Sequence, residues 1–181
     1  MSWAIAFTVC GAVMCVAAVL AVLSLGQVRL SGSAAIERDG LATGVRAPVW
    51  SLPDSAGVVH TSPPALPLQL VVFADHSLKS FPAVAEGLRE LLASGAAVEI
   101  VMLLKQPNPI AEPVLAELGL RAVSVLTGSP RLYADYNVRV GPFLIFVDSA
   151  GRVRSSSLVN HSWQVAKLHQ LACLPVAAAQ R

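Results

Sequence analysis

Trp3–Leu25 is one unbroken apolar run, and the first 28 residues carry no charge. As a helix rising 1.5 Å per residue, that run reaches about 34 Å, enough for the hydrocarbon core of a bilayer. Beyond it the pattern changes. Residues 29–46 are rich in Gly, Ser, Ala and charge and read as a linker. Residues 47–173 alternate short apolar runs with amphipathic stretches and read as a single domain, followed by a tail over 174–181.

Within the domain, Ala47–Thr61 predicts two short strands joined by a turn at Asp54-Ser55-Ala56-Gly57. Leu68–Phe73 and Val98–Leu104 are continuous β-prone runs, as buried central strands require. Between them, Ser80–Ala93 has helical periodicity: Phe81, Val84, Ala85, Leu88, Leu91 and Leu92 fall on one side, and Glu86, Arg89 and Glu90 on the other. Pro82 suits the first turn of that helix. Ile110–Leu118 predicts a helix closed by Gly119, Ala122–Leu126 a strand, and Ser129–Tyr136 a short helix. Phe143–Val147 and Arg152–Val159 predict a hairpin about Asp148-Ser149-Ala150-Gly151, and Ser162–Leu171 a closing helix. The order β-β-β-α-β-α-β-α-β-β-α implies an α/β mixed sheet flanked by helices, with a parallel core where helices join strands and an antiparallel hairpin at its end.

Composition narrows the function. A net charge of +2 with no basic run beyond the apolar segment argues against nucleic acid. A cleaved signal peptide has a charged n-region and an apolar stretch of about 7–15 residues. Only the terminal amine and Ser2 precede Trp3, and the run is longer, so it reads as an uncleaved single-pass anchor in contact with lipid. Arg29, the nearest charge, lies on its C-terminal side and favours a cytoplasmic domain. Cys10 and Cys15 fall inside the anchor on different helix faces, which leaves the domain one thiol, Cys173. One thiol forms no internal disulfide, no cysteine pair suggests a metal, and nothing indicates a cofactor.

Four passages together resemble the thioredoxin-like superfamily, specifically its membrane-anchored redoxin and TlpA-like thiol-disulfide proteins. Gly44-Val45-Arg46-Ala47-Pro48-Val49-Trp50-Ser51-Leu52 resembles the redoxin entry strand, and Asp54-Ser55-Ala56-Gly57-Val58 its hairpin turn. Leu70-Val71-Val72-Phe73 resembles the strand leading into the active site. The most specific passage, Tyr136–Val153, resembles the block in which a cis-proline sits against the redox centre, here Gly141-Pro142. The resemblance covers about residues 44–172. It implies thiol-disulfide or peroxide chemistry, and a domain on the extracytoplasmic side of the cell membrane; that sidedness is the expectation taken over the Arg29 signal.

The chemistry of that family needs Cys-x-x-Cys at a helix N-terminus, where backbone N–H groups and the helix dipole stabilise a thiolate. The matching stretch here, Ala74-Asp75-His76-Ser77-Leu78-Lys79, holds no cysteine. Counting back from Pro82 puts Ala74 and Ser77 at the cysteine positions; counting forward from Phe73 puts Leu78 and Phe81 there. Asp75, His76 and Ser77 offer the residue types of a hydrolase triad, but triads are assembled by geometry. Helix capping by Asp75, Ser77 or Ser80 explains them more simply, and ligand or partner binding is the functional alternative. His161 and Trp163 suit capping and packing at the last helix. The expected function is a redox-inactive accessory, assembly or client-binding factor for a membrane or exported protein. One alternative is a thiol-disulfide oxidoreductase or peroxide-handling redoxin using Cys173 or a partner's thiol. Another is a structural subunit of a membrane complex.

Overall fold

The computed structural model describes residues 39–128 and 130–175. The Trp3–Leu25 run, Cys10, Cys15 and residues 29–38 lie outside the described residues. Among those described, no helix is long and apolar enough to cross a membrane.

Among the described residues, seven strands and four helices follow in the expected order: β1 (Trp50–Pro53), β2 (Val59–Ser62), β3 (Leu68–Phe73), α1 (Phe81–Ala93), β4 (Val98–Leu104), α2 (Ala111–Glu117), β5 (Ser124–Thr127), α3 (Pro130–Asp135), β6 (Phe143–Asp148), β7 (Val153–Leu158) and α4 (Ser162–Cys173). The main sheet runs β5-β4-β3-β6-β7, and β1-β2 forms a separate antiparallel ribbon. Strand alternation divides the core. Leu70, Val72, Ile100, Met102, Leu144 and Phe146 face α1 and α4. Val71, Phe73, Val101, Leu103, Ile145 and Val147 form the other cluster, with Trp50 of β1 and Leu132, Tyr133 and Tyr136 from α3 and its C-terminal end.

The parallel core is smaller than the helix-joined strands suggest. β3, β4 and β5 are parallel, but β6 runs antiparallel to β3. The six-residue α3 rises only about 9 Å, whereas a strand of six residues is about 20 Å long. It cannot carry the chain back to the opposite end of the sheet, so β6 starts at the end where β5 finishes, with Phe143 opposite Phe73.

Residues 39–46, linker-like in composition, pack against the domain. Gly44 N–H donates to Val153 O at 2.7 Å, Val153 N–H to Val45 O at 2.9 Å, and Ser156 Oγ to Leu41 O at 2.8 Å. These bonds use backbone acceptors and cover the outer edge of β7, so they leave no hydrophobic period in the sequence.

On the helical face, α1 meets α4 at Gly87. A Cβ there would lie 2.6 Å from Ser162 O and 2.6 Å from Val165 Cγ2. The N-terminus of α4 is closed by Gln164, whose Oε1 accepts from the N–H groups of Asn160 (2.7 Å) and His161 (2.9 Å). Trp163 packs on its own helix end and not into the core. It is 57% exposed, near-parallel to the His161 ring at 6.2 Å, because its position in the first turn of α4 faces away from the sheet.

Candidate functional site

The C-terminal end of β3 and the N-terminal end of β6 meet where Phe73 pairs with Phe143. Two loops leave from this junction, residues 74–80 into α1 and residues 136–142 into β6. The Gly141–Pro142 peptide is cis, as the resemblance implies. A second cis bond, Ser62–Pro63, ends the ribbon. Gly141 lies tight against the first loop: a Cβ there would be 2.9 Å from Phe73 O and 3.4 Å from Leu78 Cδ1. No larger residue fits without moving backbone.

Loop 74–80 is a pair of tight turns. Asp75 Oδ1 accepts the Ser77 N–H at 2.9 Å, Asp75 O accepts from Leu78 N–H at 3.1 Å, and Leu78 O from Phe81 N–H at 2.9 Å. Asp75 therefore caps the turn and leaves the helix uncapped. Ser80 holds the N-cap position of α1 without a side-chain cap bond, since Pro82 in the first turn removes one of the donors a cap would satisfy. The Ser77 N–H bond is the main reason the Asp75 carboxyl sits below its ordinary range; partial burial opposes it, and the Ser77 hydroxyl and His76 reinforce it. His76 Nδ1 lies 3.4 Å from Asp75 Oδ1 and 3.4 Å from Asn108 Nδ2. The Ser77 hydroxyl serves Asp75, so the serine–histidine bond that activates a hydrolase nucleophile is not made.

Between the two loops opens a cleft of about 240 Å³. Phe73, Ala74 and Tyr133 form its floor, Leu78, Leu104, Val138, Val140 and Gly141 its walls, and Asp75, Lys105 and Arg139 its rim. Tyr133 is fixed by its hydroxyl donating to Leu103 O and by an edge-on contact with Phe73 at 5.0 Å. Burial, then the Asp75 charge, pushes the Tyr133 phenol far above its ordinary range, so it is neutral in any physiological medium. Lys105 Nζ sits 4.9 Å over the Tyr133 ring, and Arg139 Nε is 3.4 Å from Asp39 Oδ1. The cleft is therefore apolar inside and charged only at its edge.

Of the expected site residues, Ala74, Asp75, Leu78 and Gly141 line this cleft, while Ser77 and Lys79 are exposed beside it. Phe81, the remaining candidate cysteine position, is buried in the core. Cys173 is elsewhere. It ends α4, exposed, with Sγ 3.6 Å from His169 Nε2. The next residue, Leu174, accepts through its carbonyl from Arg154 at the start of β7, which is the end of the sheet away from the Phe73–Phe143 pair. Lys105, Tyr133, Val138 and Arg139 were missed in the sequence. The signal for two of them was proximity to Gly141-Pro142. Among the described residues, no group of three His, Cys, Asp or Glu is arranged to hold a metal ion.

No protein-family model and no curated protein matches the sequence. Solved structures do. The thioredoxin domain of a thiol-disulfide oxidoreductase from Bacteroides vulgatus matches with a TM-score of 0.61 at 14% identity, over 73% of this chain and 99% of that one. Peroxidoxin BcpB from Mycobacterium tuberculosis matches with a TM-score of 0.59 at 17% identity, over 75% and 99%. A thioredoxin-like protein from Aeropyrum pernix matches with a TM-score of 0.57 at 14% identity, over 67% and 88%. The fold is thioredoxin-like: a mixed sheet flanked by helices, with a cis-proline beside the loop that follows the central strand.

Proposed function

We propose that this chain is a redox-inactive thioredoxin-fold protein that holds client polypeptides in the cleft beside Gly141-Pro142. Trp3–Leu25 anchors it in the cell membrane, and the domain lies on the extracytoplasmic side. The observation that carries the reading is a cleft with an apolar interior, walled by Gly141 of the cis Gly141–Pro142 peptide, beside a loop in which neither spacing open to a thiol pair, Ala74 with Ser77 or Leu78 with Phe81, holds a cysteine. Disulfide exchange proceeds by thiolate attack on sulfur, and no side chain of the cleft supplies one. An apolar cleft with a charged rim suits an extended segment whose side chains are apolar at the centre.

Two measurements test this. In an insulin-reduction assay, the full-length chain in mild detergent gives no turnover above the uncatalysed rate; robust turnover overturns redox inactivity. Leu78→Asp places a carboxylate in the cleft wall and weakens capture of unfolded apolar polypeptide by about tenfold or more, the scale expected for an unpaired charge in an apolar site. Retention of full capture by Leu78→Asp overturns the assignment of the cleft.

A second reading rests on the exposed Cys173 beside His169: exchange with a partner's disulfide, away from the cleft. Trapping of a mixed disulfide at Cys173, lost in Cys173→Ser, would favour it.

A further inference from the structure

The β1-β2 ribbon rests on the main sheet through the inward positions of its two strands, Trp50 and Leu52 on β1 and His60 and Ser62 on β2. Trp50 Nε1 donates to the Tyr136 hydroxyl at 3.0 Å. Nearer the ribbon's turn the contact is ionic. The His60 side chain is 12% exposed and held between two carboxylates, with Nδ1 2.8 Å from Glu99 Oε1 and Nε2 3.2 Å from Asp54 Oδ2.

Both carboxylates are otherwise occupied by donors. Glu99 Oε2 accepts from Gln69 Nε2 at 2.8 Å, and Gln69 Nε2 also donates to Thr61 O at 3.0 Å. Asp54 Oδ1 accepts the N–H groups of Val58 (2.8 Å) and Ala56 (3.0 Å). An ionised carboxylate only accepts, and a neutral imidazole has one N–H and one lone pair. Both His60 contacts are therefore attractive only for the imidazolium. In the neutral ring, one nitrogen lone pair would face a carboxylate oxygen.

We propose that His60 is a proton-operated clasp that fastens the β1-β2 ribbon, through Asp54 at its turn and Glu99 on β4, to the main sheet. With the proton present, the ribbon, its turn and β4 are tied at one point. On deprotonation the ring keeps its shorter bond to Glu99 and releases Asp54, which stays with its own turn through Val58 and Ala56. Trp50 at the other end of the ribbon, the Gln69 bond to Thr61 O and the backbone bridge from Asp54 to Leu126 of β5 then remain as its ties to the main sheet.

The charged groups facing His60 are Glu99 from β4 and Asp54 from the β1 end, with the neutral Gln69 of β3 on the other oxygen of Glu99. Burial alone would push the imidazole down. The bonds to Glu99 and then Asp54 outweigh it and leave His60 above the ordinary value of 6.5. For a group whose folded pKa is raised, the stabilisation is complete below the unfolded value and fades as pH rises through the folded one. The clasp is thus closed in acidic medium and opens on the alkaline side of about 6.5.

Amide hydrogen exchange on the full-length chain tests it, with rates corrected for the intrinsic dependence of exchange on pH. Protection over residues 54–62 falls about fivefold or more between pH 5.5 and 8.5, while β3 and β6 keep theirs, the scale expected for the release of one charge-assisted hydrogen bond. In His60→Gln, which donates but does not titrate, this pH dependence disappears. A pH-independent ribbon in the native chain, or the same dependence in His60→Gln, overturns the clasp. If His60→Gln does not fold, the His60 ring titration by NMR on the native chain gives a direct reading: a value at or below 6.5 in the folded chain refutes the proposal.

Discussion

Phe73→Ala is expected to lower the free energy of unfolding by about 3–5 kcal/mol, the range for a buried phenylalanine truncated to alanine. Phe73 is 1% exposed and ends β3 at the point where the sheet, α3 and the cleft meet. Its ring packs on Tyr133 at 5.0 Å and on Tyr136 at 5.1 Å. Neither neighbour is free to fill the space left behind. Tyr133 is tied through its hydroxyl to Leu103 O, and Tyr136 accepts from Trp50 Nε1. A hole whose walls cannot relax keeps its full cavity cost, which places the loss toward the upper end of the range. Domains of this size are stable by about 5–15 kcal/mol, so one truncation removes a large fraction of that. Phe73→Leu retains most of the volume and is expected to cost less than half as much. Denaturant unfolding of the full-length chain measures both; a cost below about 1 kcal/mol for Phe73→Ala would show that the site collapses and that the tyrosines are not fixed as described.

The same substitution separates packing from function. The floor of the cleft deepens without gaining charge, so at low denaturant the folded fraction of Phe73→Ala still takes apolar polypeptide, whereas Leu78→Asp takes it about tenfold or more weakly. Comparing the two variants distinguishes a cleft that works by shape and apolarity from one that owes its binding to the rim charges of Lys105 and Arg139.

The elements were legible because their periods are unambiguous. Leu68–Phe73 and Val98–Leu104 are too continuously apolar for a surface position, and the Phe81–Leu92 pattern has one wet face. The direction of β6 was not legible, because it depends on how far a six-residue helix can carry the chain, and no residue type encodes that. The site divides the same way. Gly141-Pro142 and the loop after Phe73 were visible as local motifs. Arg139 lies two residues before Gly141, but Lys105 and Tyr133 reach the cleft from the end of β4 and from α3, and only the sheet order brings them there. Of the three cap candidates, Ser80 takes the N-cap position and Asp75 closes the preceding turn instead, since an aspartate before a helix serves a turn or a helix end equally well. The His60 cluster did leave a trace. Gln69 and Glu99 each take the second position of an otherwise apolar strand, and register-paired polar residues inside buried strands need partners.

Gly87→Ala is expected to destabilise the domain by about 1–3 kcal/mol, against the sign that helix propensity gives. Alanine in a helix interior is favoured over glycine by about 0.8–1.0 kcal/mol, an effect that includes the restriction of the unfolded chain. At Gly87 the added Cβ meets Ser162 O at 2.6 Å, Val165 Cγ2 at 2.6 Å and Val165 Cβ at 3.0 Å. The valine methyl can turn, but the Ser162 carbonyl is backbone at the first residue of α4, and it moves only with the helix. Separating α1 from α4 loosens the contacts that Val84, Leu88, Val165 and Leu168 make in the helical-face core. Overpacking of this kind outweighs the propensity gain. For a chain of this length, 1 kcal/mol corresponds to roughly 2–4 °C in Tm, so thermal unfolding of Gly87→Ala should fall by several degrees. Adding Val165→Ala relieves the side-chain clash and leaves the carbonyl clash in place, so the double variant does not regain the native Tm. An unchanged or raised Tm for Gly87→Ala would mean that the two helices are not held together at this contact.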